Sequence, residues 1–221
     1  MSPREKRLRV PGKEPPKRTI PEEVGNAVTH GIGALLGIAG LVLLLLRSDT
    51  VTKAAAAAIY GACFIMMFLM SCLYHAFKWG TKVKRLWRRF DYLSIYLLIG
   101  GTFTPIWLVF LGGKGGIAGC IAEWAVILTG VTLISVFGPD RLRKLHMSLY
   151  VILGWYGLIF LPKMVRENLP LFFFTLAGGL LYTIGIIPFA LKKKGAHFIW
   201  HFFVLFGAIT HWFGIYLYIY S

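Results

Sequence analysis

Two histidines four residues apart, His197 and His201, open the last apolar block of the chain. On a helix that spacing puts both imidazoles on one face, about 5 to 6 Å apart and close enough to chelate one ion. A third imidazole, His75, closes the second apolar block. If both blocks cross a membrane, the three rings share one depth, and three imidazoles plus a water complete the tetrahedron typical of catalytic zinc sites. The plainer alternative has each histidine reaching singly to the headgroup boundary. Three at one depth favour a shared ion, so Zn2+ is the expected cofactor and His75, His197 and His201 its expected ligands.

Other polar residues gather at the same level. Asp91 opens the third apolar block after the basic pair Arg88 and Arg89; it is either an interfacial ion pair or helix cap, or the carboxylate that orients a water and takes its proton beside the metal. Ser71 lies one turn before His75, placed either to bond that water or a substrate oxygen or to satisfy a backbone carbonyl. Glu23, Asn26 and His30 open the first block and are expected at the mouth of the site or supporting its ligands from behind, with simple capping as the alternative for His30. His211 is ten residues beyond His201, about 15 Å along a helix, and should not reach the same ion. His146 is read as interfacial.

These positions matter only if the apolar blocks are helices. At 57% hydrophobic and 15% charged residues over 221 positions, the composition does not fit a water-facing surface. The blocks predict spans near 26–46, 54–77, 92–111, 117–137, 145–161, 171–191 and 197–220, each about the 20 residues that cross a bilayer core. The fifth is the shortest, flanked by Pro139 and Pro162. Pro105 and Pro188 are expected to kink their helices, and Gly112 to Gly116 to form a turn.

Charge sets the orientation. The net +15 could suggest nucleic acid, but the basic residues lie between apolar blocks, and no nucleic-acid partner is expected. Outside the predicted spans, 19 Lys and Arg fall on one side and five on the other. The positive-inside rule makes the richer side cytoplasmic, with the amino terminus inside and the carboxyl terminus outside. The predicted fold is therefore all-α, a polytopic bundle of seven transmembrane helices, with residues 1–22 a basic disordered cytoplasmic tail and 23–221 the membrane domain. That tail lacks the apolar core of a secretory signal. Cys63, Cys72 and Cys120 sit in apolar segments without CxxC spacing, which argues against a disulfide framework or cysteine metal site.

Four motifs occur in register: Glu23-Val-Gly-Asn26 followed by Thr29-His30; Ser71-Cys-Leu-Tyr-His75; Phe90-Asp91-Tyr92 running to Gly101-Thr-Phe-Thr-Pro105; and His197-Phe-Ile-Trp-His201 with His211 beyond. Together they resemble the hemolysin III group, the bacterial branch of the progestin and adiponectin receptor family. The resemblance covers nearly the whole chain after the tail. It implies seven helices, an intramembrane zinc on the histidines matching His75, His197 and His201, and the aspartate matching Asp91 nearby. The wider superfamily includes alkaline ceramidases and suggests metal-dependent hydrolysis of a lipid amide. It also implies a bacterial inner-membrane location.

The expected function is a zinc-dependent hydrolase of a membrane lipid amide or ester, with Asp91 and Ser71 as its catalytic residues and membrane lipids as its partners. Two alternatives stay open: a non-enzymatic regulator or sensor of membrane state whose zinc staples helices, and a cytolytic protein. A pore needs a polar stripe along a whole span, and no block carries one. A proton-coupled transporter is disfavoured because the polar groups stop on one side.

Overall fold

The computed structural model describes residues 14–191 and 193–221, and among them every regular element is helical. α1 (Ile20–Leu46) starts with Pro21 in its first turn, where the missing N–H costs nothing. The Thr19 N–H and hydroxyl both donate to Glu22 Oε2, at 3.0 and 2.7 Å. α2 (Val51–Ala76) is capped by the Thr50 hydroxyl, which accepts from the Lys53 N–H. α3 (Lys82–Pro105) is capped in the same way by Thr81, through the Lys84 N–H.

After Pro105 the helix widens into a π-helical turn over Ile106–Leu111, which closes with the Gly112 N–H donating to the Trp107 carbonyl at 3.0 Å. Proline removes a backbone donor and pushes aside the turn before it. Gly112, at φ +66°, then reverses the chain into α4 (Gly113–Phe137), so the expected turn opens that helix.

The fifth apolar block is broken. α5 (Arg143–Trp155) passes into a 3-10 turn, Tyr156–Phe160, and then α6 (Leu161–Glu167), with Pro162 in the first turn of α6. Proline cannot donate to the carbonyl four residues earlier, so a continuous α-helix fails where the block was expected to span. α7 (Leu169–Ala190) is capped by Asn168, and α8 (Ala196–Tyr218) follows Gly195 at φ +79°. Among the described residues, six helices are long and apolar enough to cross a membrane: α1, α2, α3 with its π turn, α4, α7 and α8.

Packing follows the small residues. Gly33 and Gly37 in α1, spaced as in close-packed membrane helices, face the Phe68 and Phe64 rings of α2; a Cβ on Gly37 would sit 2.7 Å from Phe64 Cδ1. The outward positions carry large apolar side chains, among them Leu35, Ile121, Leu128, Ile152 and Phe206. Water would not tolerate that belt and lipid does.

The ends of the chain meet opposite ends of α1. Pro15 and Glu22 bond to Trp79 and Gly195, whereas Arg47 and Lys53 bond to Tyr216 and Tyr220. Of the basic tail expected over 1–22, residues 1–13 lie outside the described residues, as does Lys192. Residues 14–19 lie against the α2–α3 turn, and 20–22 open α1. Cys63, Cys72 and Cys120 are free thiols.

Candidate metal centre

The first turns of α8 carry His197 and His201 on one face, and the last turn of α2 brings His75 to meet them. Their Nε2 atoms lie 3.3 Å apart for His197 and His201. One ligand nitrogen from each of the three residues falls within 4.8 Å of the others. Ring centroids are 5.3 Å apart for His75 and His197 and 4.8 Å for His75 and His201. Tetrahedral zinc with Zn–N bonds of about 2.0 to 2.1 Å requires nitrogens about 3.3 Å apart, so the α8 pair already has the right spacing and His75 is within a short approach of it.

His75 is oriented from behind. Its Nδ1 donates to Glu23 Oε2 at 2.5 Å, and Lys84 Nζ donates to the other oxygen, Glu23 Oε1, at 2.9 Å. Lys84 also reaches the His75 carbonyl at 3.5 Å, and its side chain is fully buried. That bond fixes the hydrogen on Nδ1 and leaves Nε2 free to bind a metal. The nitrogen is buried and has no hydrogen-bond partner among the described residues. An imidazole held by a carboxylate on its far nitrogen is the arrangement by which proteins orient metal-binding histidines. His201 presents Nε2 to the same point as His197, and its Nδ1, buried without a partner among the described residues, is not a ligand to that ion. The donor set therefore fits zinc.

The residues expected around the ligands are placed as follows. Asn26 is fully buried, with its side-chain nitrogen 3.4 Å from His75 Nδ1. His30 stacks on His201 at 3.8 Å between centroids and meets the Phe68 ring edge-on. It sits three turns inside α1, and Thr19 is the N-cap, so His30 does not cap the helix. Glu22 accepts from the Gly195 N–H, tying the start of α1 to the start of α8.

Ser71 on α2 and Asp91 on α3 lie close enough to interact across the two helices. Asp91 lies within α3 and makes no ion pair among the described residues, so it is neither a cap nor the partner of Arg88. Both residues line a cavity of about 340 Å³ that His30, His197 and His201 also border. From this polar head the cavity runs between α3, α5, α7 and α8, past Ile95, Val151 and Ile186, to His211. His211 is buried and stacks on Tyr182 at 5.6 Å; it does not join the triad but closes the far end of the same cavity.

Several polar contacts were not anticipated. Arg88 forms a bidentate pair with Asp140 at 2.6 and 2.7 Å, a link from α3 to the turn that follows α4. His146, expected at the interface, is fully buried, with Nδ1 2.9 Å from the Tyr96 hydroxyl. It lies one turn into α5, where the helix face turns inward. Glu123, 2% exposed, accepts from Trp107 Nε1 at 2.5 Å. A lone glutamate inside the block 117–137 was itself the available signal.

Comparison with known proteins covers most of the chain. A family model described as Haemolysin-III related matches residues 18–212. The chain is 35% identical over 206 residues to Hemolysin-3 of Bacillus cereus, an alignment covering 90% of this chain and 93% of that protein. It is 28% identical over 222 residues to the monocyte to macrophage differentiation factor of Homo sapiens, covering 96% and 90%. It is 25% identical over 226 residues to the adiponectin receptor protein of Drosophila melanogaster, covering 87% of this chain and 50% of that protein.

Proposed function

The chain belongs to the haemolysin-III related family of membrane proteins, relatives of the adiponectin receptors, and from that premise we propose that it is a zinc-dependent hydrolase of a membrane lipid amide or ester. One observation carries the reading: His197 and His201 line the head of a largely apolar cavity together with Ser71 and Asp91, and His75 from α2 converges with those two imidazoles. Zinc bound there would supply the Lewis acidity that polarises a carbonyl and lowers the pKa of a water.

The protein's own groups do the rest. The Asp91 carboxylate takes the proton of the attacking water and returns it to the leaving amine or alcohol. Ser71, beside Asp91 on the cavity wall, positions the water or the developing oxyanion. The apolar run past Ile95, Val151 and Ile186 accommodates an acyl chain and keeps bulk water away from the carbonyl.

The same triad could instead staple α2 to α8 in a regulator without chemistry. Structural zinc sites have four protein ligands; among the described residues three donors meet here, which favours an open catalytic position.

The membrane arrangement belongs to the proposal. In it the broken segment 143–167 makes a seventh crossing beside the six long helices. The basic ends of α1 and α8 face the cytoplasm, and the protein resides in a bacterial inner membrane. The reaction test uses purified protein in vesicles carrying lipid amides and esters. Release of free fatty acid that stops on chelation and returns with zinc is expected. Release that continues after complete zinc removal would contradict the assignment.

A further inference from the structure

The segment before α1 lies across the mouth of the cavity. Trp79 Nε1 donates to the Pro15 carbonyl at 2.9 Å, Arg85 pairs with Glu14 at 2.6 Å, and Lys17 Nζ sits 5.3 Å over the Trp79 ring. These contacts anchor the chain so that Pro16 and Arg18 form part of the cavity wall, beside Asp91 and His197. Arg18 Nη1 reaches the Tyr74 hydroxyl at 3.5 Å, a long and weak bond.

Three charged side chains line the cavity, Arg18, Arg143 and Asp91, and none of them forms an ion pair among the described residues, whereas the carboxylates beside it are bonded elsewhere. Glu23 is taken by Lys84 and His75, and Asp140 by Arg88. Glu22 accepts from Thr19 and the Gly195 N–H. Arg18 has no carboxylate within ion-pair distance among the described residues. It is half-buried and near enough to act electrostatically on Asp91, His75 and His197. A second guanidinium, Arg143, borders the same cavity beside Phe189. Positive charge therefore exceeds negative at the polar head even before a divalent ion is added.

Building on the lipid-hydrolase reading, we propose that Arg18 is the recognition residue for an anionic group, a carboxylate or phosphate, on the molecule that occupies the cavity. A guanidinium grips either group bidentately, which a neutral amide or ester cannot match. The anion would lie at the polar head, within reach of Arg18, and the chain would extend toward His211. A fatty acid left by hydrolysis has this form, as does a lipid with an acidic headgroup.

The probe is cis-parinaric acid, a fluorescent fatty acid, compared with its methyl ester on purified protein in neutral phosphatidylcholine nanodiscs, with and without zinc. The wild type should bind the acid at least about tenfold tighter than the ester in the metal-free state as well. Arg18→Gln should bring the two to near parity while leaving ester affinity unchanged, which also reports an intact cavity. Arg18→Lys should keep part of the preference. Displacement of the acid by excess inorganic phosphate would support a site open to the free anion, and inert phosphate would support one that requires the lipid chain.

An acid preference that survives in Arg18→Gln, or its absence in the wild type, would overturn the assignment. Arg18-dependent binding without hydrolysis of any lipid would overturn the hydrolase reading alone.

Discussion

The Glu23 carboxylate bridges two helices, accepting from His75 Nδ1 at 2.5 Å and from Lys84 Nζ at 2.9 Å. Through it the start of α1 and the start of α3 both set the angle of an imidazole at the end of α2. The proposed metal site is thereby coupled to the packing of three helices.

Glu23→Gln keeps the size of the side chain but weakens the acceptor for His75 Nδ1 and the partner for Lys84. Loss of such a supporting carboxylate lowers metal affinity about 10- to 100-fold. Competition of the purified variant with a zinc-binding dye should show that drop with the helical content unchanged. Wild-type affinity would mean that the bridge does not tune the metal.

Asp91→Asn removes the proton acceptor while sparing every imidazole. Zinc stoichiometry should stay at the wild-type level and kcat should fall about 10²- to 10⁴-fold, with a smaller change in KM. A variant that lost zinc instead would assign Asp91 to the metal rather than to proton transfer.

Gly37 lies against Phe64 in the α1–α2 contact, where an added Cβ meets the ring at 2.7 Å. Gly37→Leu should cost about 1 to 3 kcal/mol by overpacking, read as a lower thermal midpoint in detergent. Because Glu23 and Asn26 ride on the same helix, zinc retention should fall with it.

Trp107 donates to Glu123 in an apolar part of the bundle. Glu123→Gln keeps an acceptor and should be tolerated, whereas Glu123→Leu strands the indole N–H at about 1 to 3 kcal/mol. Thermal unfolding of the two variants compares them directly. Equal stability would show that the indole finds another partner.

Much of the site was readable from the chain because membrane depth orders residues in one dimension. His75 closes one apolar block and His197 and His201 open another that runs the opposite way, which puts all three at one depth, and the four-residue spacing of the last two specifies a shared face. What depth does not encode is rotation between helices. Lys84 looked like one more basic residue flanking a block, and only the packing of α3 against α2 turns it inward to Glu23. His146 was hidden for the same reason, one turn inside a helix whose inner face no spacing marked. The break after Trp155 escaped because an apolar run reads alike whether or not Pro162 interrupts its hydrogen bonding.

The most direct test of the account is the metal content of purified protein by elemental mass spectrometry, wild type beside His75→Ala, His197→Ala and His201→Ala. One zinc per chain in the wild type and none retained in any variant after dialysis is the predicted result. Zinc held at wild-type stoichiometry when all three imidazoles are removed together would contradict it.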